Sequence, residues 1–499
     1  MTAARKKFEQ TETAKLSKFP IAPSNIDLIQ TPREFGEYVF DRIAKAQHRI
    51  WISALYIQND ATGNKILDAL RAAKEVKPDL EIKIFVDFHR NQRARIGEKK
   101  GKIAVDAFKK TLASTRIDVF GIPVSESERG GVLHTKGIII DDEVIYSGAS
   151  FNDVYLHGEK EKEEDEEQAG KIKKWLRAHI KKITKIKKEK EGEKKKEEYR
   201  VDRYWTFTDA DFAESFVEYL RTVLENSEAK QDFTKGRVEL TEATRTAIAE
   251  LRIKLAEANF PAPKQPKKIG DAETYVIPVA GFGENNQATQ ALIDVINSAT
   301  EELVLYTPYF NPPEEVRAAI KSALARKVKV QIIAASKTAN DFFRDADEIR
   351  KKPIWKMLLD PFEAGKMFFL DTLAYFYEQN LREFMKDLSV EVRSGLLEVF
   401  EWEDGKNTFH AKGASADRGK VSVITGHNTN ERGACLDPEN GVVSVTEDER
   451  LLLKTQLETA QFLVSARQLK SFADLPFKTK YPLQMMFGAW LAKHFKKRL

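Results

Sequence analysis

Apolar and polar positions along this chain fall into blocks that recur in the same order twice. "RIWISALYIQND", residues 49–60, is an apolar run ending in a tyrosine and a polar break, and it predicts a strand. "NKILDALRAAKEV" carries apolar residues at helical spacing, and "LEIKIFVDF" at 80–88 predicts the next strand. Further along, "ELVLYTPYFNPP" (302–313), "EEVRAAIKSALARK" and "VKVQIIAAS" repeat that succession. Strand, helix, strand is the crossover unit of an α/β sheet. Each half then continues into two short apolar runs separated by a polar turn, the pattern of a hairpin: "GVLHTKGIIIDDEVIYSGASFND" at 131–153 and "NTFHAKGASADRGKVSVITGHNTNERG" at 407–433. The expectation is an α/β protein built from two repeats, each a mixed β-sheet flanked by helices.

The domain division follows from where the pattern lapses. Residues 1–23 are expected to be an N-terminal tail and 24–258 a first domain, with 259–273, "NFPAPKQPKKIGDAE", as a linker poor in apolar period. Residues 274–499 form the second domain. Residues 158–198, an acidic run followed by a basic one, have no counterpart in the second half and interrupt the first as an insertion. Within it Ile172, Trp175, Leu176, Ile180, Ile183 and Ile186 recur at helical spacing among lysines. Two readings stand side by side: a helix lying on an anionic bilayer, or a solvated helix packed on its own domain. The C-terminus, "FKTKYPLQMMFGAWLAKHFKKRL", mixes large apolar and basic residues and favours membrane contact.

The candidate chemistry lies in the hairpins. His134, Lys136 and Asp141 recur as His410, Lys412 and Asp417 at identical spacing, and only these two of the eight histidines sit in an H-x-K-x-x-x-x-D frame. Alternate residues of a strand share a face, so His134 and Lys136 should point the same way, with Ile138 and Ile140 continuing the row. The followers match as well: Ser150 and Asn152 lie over Asn428 and Asn430. A pseudo-twofold duplication lets both histidines meet at one cleft, where one imidazole attacks phosphorus and the other moves protons. The lysines, with Asn152 and Asn430, would hold the non-bridging oxygens. The sequence contains no Gly-rich Walker loop, no HExxH and no carboxylate cluster at metal-binding spacing, so neither a metal nor another cofactor is expected.

Bulk composition narrows the setting. Charged residues make up 32%, above the roughly 25% of an average domain, but the formal net charge is only +5. That balance suits an anionic surface without indicating nucleic acid. A single cysteine, Cys435, excludes an internal disulfide framework and fits a reducing compartment. The first twenty residues lack the apolar core of a secretory signal, and the greasy region 354–377 is interrupted by Lys356, Asp360, Glu363, Lys366 and Asp371. The expected location is the cytoplasm, peripheral on the inner face of the membrane.

The two H-x-K-x-x-x-x-D frames resemble the phospholipase D superfamily. Within it, "VDFHRNQRARIG" (86–97), residues 131–157, "TPYFN" (307–311), "KTANDFF" (337–343) and "TFHAKG" (408–413) are similar to the bacterial branch that transfers a phosphatidyl group to serine. The resemblance implies phospholipase-D-type repeats with one active site at their pseudo-twofold interface. It implies CDP-diacylglycerol and L-serine as substrates, CMP as leaving group and a phosphohistidine intermediate. His134 would be the nucleophile and His410 acid and then base, although the exchanged roles stay open. Asp141 and Asp417 would fix the motifs, Ser150 and Asn428 would lie with the substrate-binding asparagines, and Glu439, in "LDPENGVV", resembles the family's carboxylate that orients an imidazole. Where the family usually has another Asn, this chain has His427. A cardiolipin synthase, a phospholipase D or a superfamily nuclease would carry the same motifs. Nucleic acid is not required, because the basic runs are interleaved with acids and few aromatics.

Overall fold

A computed structural model describes the chain except for residues 95–102, 157–197, 266, 267, 271, 272, 285, 346–360 and 477–499. The insertion, Glu198 apart, and the basic C-terminus therefore lie outside the described residues. Helix α1 (Ala3–Phe8) and strand β1 (Phe19–Pro20) open the chain, followed by β2 (Ile26–Ile29), α2 (Pro32–Lys45), β3 (Arg49–Ala54), α3 (Ala61–Val76) and β4 (Glu81–Asp87). The first half continues through β5 (Ile117–Ile122), β6 (Gly137–Ile140), β7 (Glu143–Ser147), β8 (Arg200–Val201), β9 (Tyr204–Thr208) and β10 (Gln231–Asp232). The second half contains β11 (Tyr275–Gly281), α4 (Gln287–Ser298), β12 (Glu302–Thr307), α5 (Glu314–Ala325), β13 (Lys329–Ala335), α6 (Pro361–Asp387) and β14 (Leu397–Trp402). It ends with β15 (Thr408–Phe409), β16 (Gly413–Ala416), β17 (Val421–Thr425), β18 (Glu439–Val445), α7 (Glu449–Val464) and β19 (Ala466–Leu469).

The repeat is complete at the level of sheet order. One sheet runs β2-β9-β7-β6-β3-β4-β5-β10 and the other, beyond an extra edge strand β1, β11-β18-β17-β16-β12-β13-β14-β19. In both, the three strands β3, β4, β5 or β12, β13, β14 are parallel and the remaining neighbours antiparallel. The parallel strands are nearly continuous in apolar residues because both faces are covered. Helices start where a side chain can receive their first free N–H groups: Thr31 and Glu34 form a capping box on α2, Asp60 caps α3 and Asn286 caps α4.

The two sheets face each other across one apolar layer. Ile139, Val144, Tyr146 and Trp205 of the first repeat share it with Val276, Ile424, Val442 and Leu451 of the second. Outer layers close each repeat: Phe35, Ile66 and Ile138 on one side, Val295, Val316 and Val423 on the other. Each sheet is thus buried on both faces, and residues of β6, β7 and β17 share the layer between them.

Residues 1–23 are not a tail. β1 pairs antiparallel with β11 of the second repeat, Phe19 opposite Val276, and Ala4, Arg5 and Phe8 of α1 are buried against that repeat's core. The apolar side chains of Ala4 and Phe8 explain the docking, and Asp294 of α4 accepts from the N–H and hydroxyl of Thr13 at 3.0 and 2.7 Å. The linker is likewise anchored, by Phe260, whose ring stacks 4.4 Å from that of Tyr219. No helix among the described residues is long and apolar enough to cross a membrane.

Candidate active site

Both H-x-K arms end at a glycine with positive φ, Gly137 at 143° and Gly413 at 121°. The chain bends there, so His134 and Lys136 precede β6 and do not continue its alternation, as the strand reading had it. Each arm is instead tied to the opposite repeat. His134 N–H donates to the Pro438 carbonyl at 3.2 Å, and Asn440 brackets Lys136, accepting its N–H at 2.8 Å and donating to its carbonyl at 2.7 Å. In the second motif β15 pairs with β8, and His410 N–H donates to the Val201 carbonyl at 2.7 Å.

This exchange of arms creates crossed pairs. His134 Nδ1 lies 2.8 Å from Glu439 Oε2, at the head of β18, and His410 Nδ1 lies 2.8 Å from Asp202 Oδ2, just before β9. β18 and β9 occupy equivalent places in the two sheets, so each histidine of one repeat is oriented by a carboxylate of the other. With Nδ1–H donating to the carboxylate, Nε2 is left as the basic, nucleophilic atom. For His134 no partner of Nε2 occurs among the described residues. His410 is more crowded: Tyr155 Oη lies 2.9 Å from Nδ1 and 3.3 Å from Nε2, and Lys412 Nζ lies 2.6 Å from Nδ1.

The floor of the site is as symmetric as its walls. A Cβ on Gly148 would stand 2.9 Å from Lys412 Nζ and from Asp202 Oδ2, and a Cβ on Gly426 would stand 3.2 Å from Lys136 Cγ and 3.3 Å from Glu439 Oε2. Only glycine lets a lysine and a carboxylate share that floor. Lys412 Nζ donates to the His410 carbonyl at 2.8 Å and sits 3.5 Å from Asp202, whereas Lys136 Nζ is buried without a hydrogen-bond partner among the described residues.

Burial governs the charge states. It holds the His134 imidazole well below the ordinary histidine range, aided by the positive charges of Lys136 and Lys412, and it does the same to His410 beside Lys412. Lys136 is pushed down to about 7 by burial, against the pull of Glu439. Burial also raises Glu439 and Asp202. Neutral imidazoles with basic Nε2 atoms and two ammonium groups lacking full compensation form a site suited to an anionic, tetrahedral group.

The other expected residues fall outside this centre or serve it indirectly. Asp141 and Asp417 stand at the far ends of β6 and β16. Asp141 accepts from the N–H groups of Gln47, His48 and Arg49 at 2.8, 2.7 and 3.1 Å, tying down the start of β3. Asp417 does the same for β12, accepting from Thr300, Glu301 and Glu302 N–H at 3.0, 2.9 and 3.1 Å and from the Thr300 hydroxyl. Neither has a hydrogen bond to an imidazole among the described residues, and the contacts of both are those of residues that fix the motifs. Asn152 and Asn430 begin short helices, their Oδ1 atoms accepting from Tyr155 and Gly433 N–H at 3.1 and 2.8 Å, and Asn152 Nδ2 donates to Tyr56 Oη. Ser150 is buried beside a small internal cavity with Phe35 and Ile138. Asn428 Oδ1 has no hydrogen-bond partner among the described residues. His427 accepts Thr429 N–H at Nδ1 and meets Thr289 Oγ1 at 3.0 Å through Nε2; burial pushes its imidazole down to about 4.

Asp202, Arg200 and Tyr155 were missed in the sequence. Asp202 could have been found by laying the strand after each hairpin over its counterpart, but the charged insertion separates it from the first motif.

The family model described as "Cardiolipin synthase, PLD-like domain" matches residues 39–155 and 292–460. The chain is 31% identical over 485 residues to the CDP-diacylglycerol–serine O-phosphatidyltransferase of Escherichia coli, covering 94% of each. It is 30% identical over 463 residues to the enzyme of that name from Haemophilus influenzae, covering 92% of this chain and 90% of that protein. The crystal structure of phosphatidylserine synthase from Haemophilus influenzae superposes with a TM-score of 0.81 at 28% identity, covering all of both chains.

Proposed function

The chain belongs to the PLD-like (phospholipase D) family, and we propose that it transfers the phosphatidyl group of CDP-diacylglycerol to the hydroxyl of L-serine, releasing CMP. The observation that carries this reading is the pair of crossed contacts, His134 to Glu439 and His410 to Asp202, since two imidazoles each oriented by a carboxylate can divide nucleophilic attack and proton transfer. Near-full-length similarity to two enzymes of that activity supports the choice of substrates.

His134 is the nucleophile. Its Nε2 attacks the phosphorus bearing diacylglycerol, the bond to the CMP oxygen breaks, and that oxygen takes the electron pair. CMP leaves as a phosphate whose second pKa is near ~6, so its departure needs little protonation. Serine then enters, His410 Nε2 takes the hydroxyl proton, the serine oxygen bonds to phosphorus, and the phosphorus–nitrogen bond breaks to restore His134. The proton transfer contributes typically ~10²- to 10⁴-fold. Lys136 and Lys412 offset the charge on the non-bridging oxygens, and the chain's own cations suffice for this without a metal. The free Nε2 of His134 and the Tyr155 contact at His410 favour this assignment of roles over the reverse.

The reading includes peripheral attachment to the anionic cytoplasmic face of the membrane, where a diacyl substrate resides. Its support is the basic, amphipathic sequence of 158–198 and of the C-terminus. Each Lys or Arg near an anionic surface contributes about 1 kcal/mol. Sedimentation with vesicles should rise with anionic lipid and fall with salt.

The deciding experiment is incubation of pure protein with labelled CDP-diacylglycerol, with and without serine, followed by lipid separation and a quenched single turnover. Phosphatidylserine and CMP should form, and activity should survive EDTA. Acid-labile label should be trapped on His410→Ala and not on His134→Ala; label only on His134→Ala reverses the two roles.

A further inference from the structure

The pseudo-twofold axis separates what phosphoryl transfer needs from what distinguishes two substrates, because features of the first kind occur twice. Asn91 and Asn340 are equivalent: their Nδ2 atoms donate to the carbonyls of Leu55 and Pro308, just past β3 and β12, at 3.0 and 2.9 Å. The residues after them differ. Gln92 turns away to accept Val238 N–H at 2.7 Å, whereas Asp341 faces the His410 side of the site. Asp202 matches Glu439, so Arg200 stands where the first site has Asp437. Asn152 matches Asn430, so Tyr155 stands where the first site has Gly433. Around His410, then, three polar side chains break the symmetry together.

They also touch one another. Arg200 Nη1 lies 3.2 Å from Asp341 Oδ2 and 3.3 Å from Tyr155 Oη, and Tyr155 Oη contacts the His410 ring. Tyr309 Oη donates to Asp341 Oδ1 at 2.6 Å, and the Tyr309 ring stands edge-on to His410 at 6.0 Å. Arg200 Nε is anchored on Thr408 Oγ1 at 3.1 Å, two residues before His410. Asp341 keeps 18% of its side chain exposed against 8% for Arg200, so the carboxylate is the member of the pair reachable from solvent. Every partner fixes either the guanidinium or the carboxylate, and one tyrosine hydroxyl separates the pair from the imidazole that must deprotonate the acceptor.

We infer that Arg200 and Asp341 are the acceptor-specificity residues: Asp341 receives the α-ammonium of serine and Arg200 its α-carboxylate, directing the hydroxyl to His410. This rests on the serine-transfer reading above. A zwitterion is the ligand that suits a preformed ion pair, since it exchanges one internal contact for two of the same kind and leaves no charge unpaired. An acceptor lacking either charge leaves one protein group uncompensated, which is how a polar site rejects an analogue.

The test compares three acceptors in the full-length enzyme: L-serine, ethanolamine without the carboxylate, and 3-hydroxypropionate without the ammonium. The readout is the ratio of kcat/KM values within each variant, in which losses from partial unfolding or impaired chemistry cancel. Where an analogue is too poor an acceptor to follow, its inhibition constant against serine supplies the ratio. Asp341→Asn should cut the preference for serine over 3-hydroxypropionate by roughly tenfold to a hundredfold, as expected for losing a charged hydrogen bond. Arg200→Lys should cut the preference over ethanolamine instead. Ratios within twofold of wild type in both variants overturn the inference. A wild-type protein that makes no phosphatidylserine at all overturns the reading of the reaction, which is a separate outcome.

Discussion

Lys136 shows how one residue sets function against stability. Its ammonium is buried without a hydrogen-bond partner among the described residues, and burial pushes it down to about 7. A lysine in the unfolded chain titrates near ~10.4, so between about pH 7 and that value the unfolded state binds more protons than the native one. Stability should therefore rise with pH across that window, and the cost of the charged side chain is fully present below it. Lys136→Met removes the charge while keeping most of the volume. Its thermal midpoint at pH 7 should exceed that of wild type by a few degrees, with the gain shrinking toward pH 9, while transfer falls by roughly 10² or more. A midpoint that drops at pH 7 would mean that the ammonium is compensated in the free protein. Both lysines and both histidines were legible in the sequence because the motif occurs twice. Asp202 was not, because a lone aspartate in "RVDRYW" carries no signal until the fold sets it 2.8 Å from His410.

At the scale of elements, the last residue of each motif does local work. Asp141 has φ 52° and Asp417 φ 46°, a conformation that Asp tolerates better than most side chains, and each gathers three consecutive N–H groups at the start of the neighbouring central strand. Asp141→Ala should cost about 2–4 kcal/mol, since the donors lose a charged acceptor. The folded fraction should keep a kcat within a few-fold of wild type. A loss of kcat comparable to that of His410→Ala, with stability unchanged, would return Asp141 to the chemistry. The strands and hairpins were readable from apolar runs and polar turns. The break at Gly137 and Gly413 was not, because period-two alternation carries no record of a positive φ. The docking of α1 was hidden for a different reason: Ala4 and Phe8 are too few to show a period, and their partners lie in the second repeat.

At the scale of the molecule, neither repeat holds a complete site. The imidazole of each motif depends on a carboxylate from the other half, the first motif's arm is held by Asp437 at Val132, by Pro438 at His134 and by Asn440 at Lys136, and the arm before His410 pairs with β8. The halves also share an apolar layer that includes Tyr146, Trp205, Ile424 and Val442, and α1 with β1 spans from the first half onto the second. Burying a large apolar side chain is worth roughly 1.5–3 kcal/mol, so a layer of this kind supports stable association without a covalent link. Cutting the chain within 259–273 and co-expressing residues 1–262 with 274–499 should therefore give a complex that co-purifies and releases CMP from CDP-diacylglycerol. Either piece expressed alone should be inactive and aggregation-prone, because each exposes the face that the other covers. Diluting the complex should lower specific activity, since chemistry then depends on association. Turnover by one piece alone, at a rate proportional to its own concentration, would show that a single motif with its own repeat suffices and that the crossed contacts are dispensable.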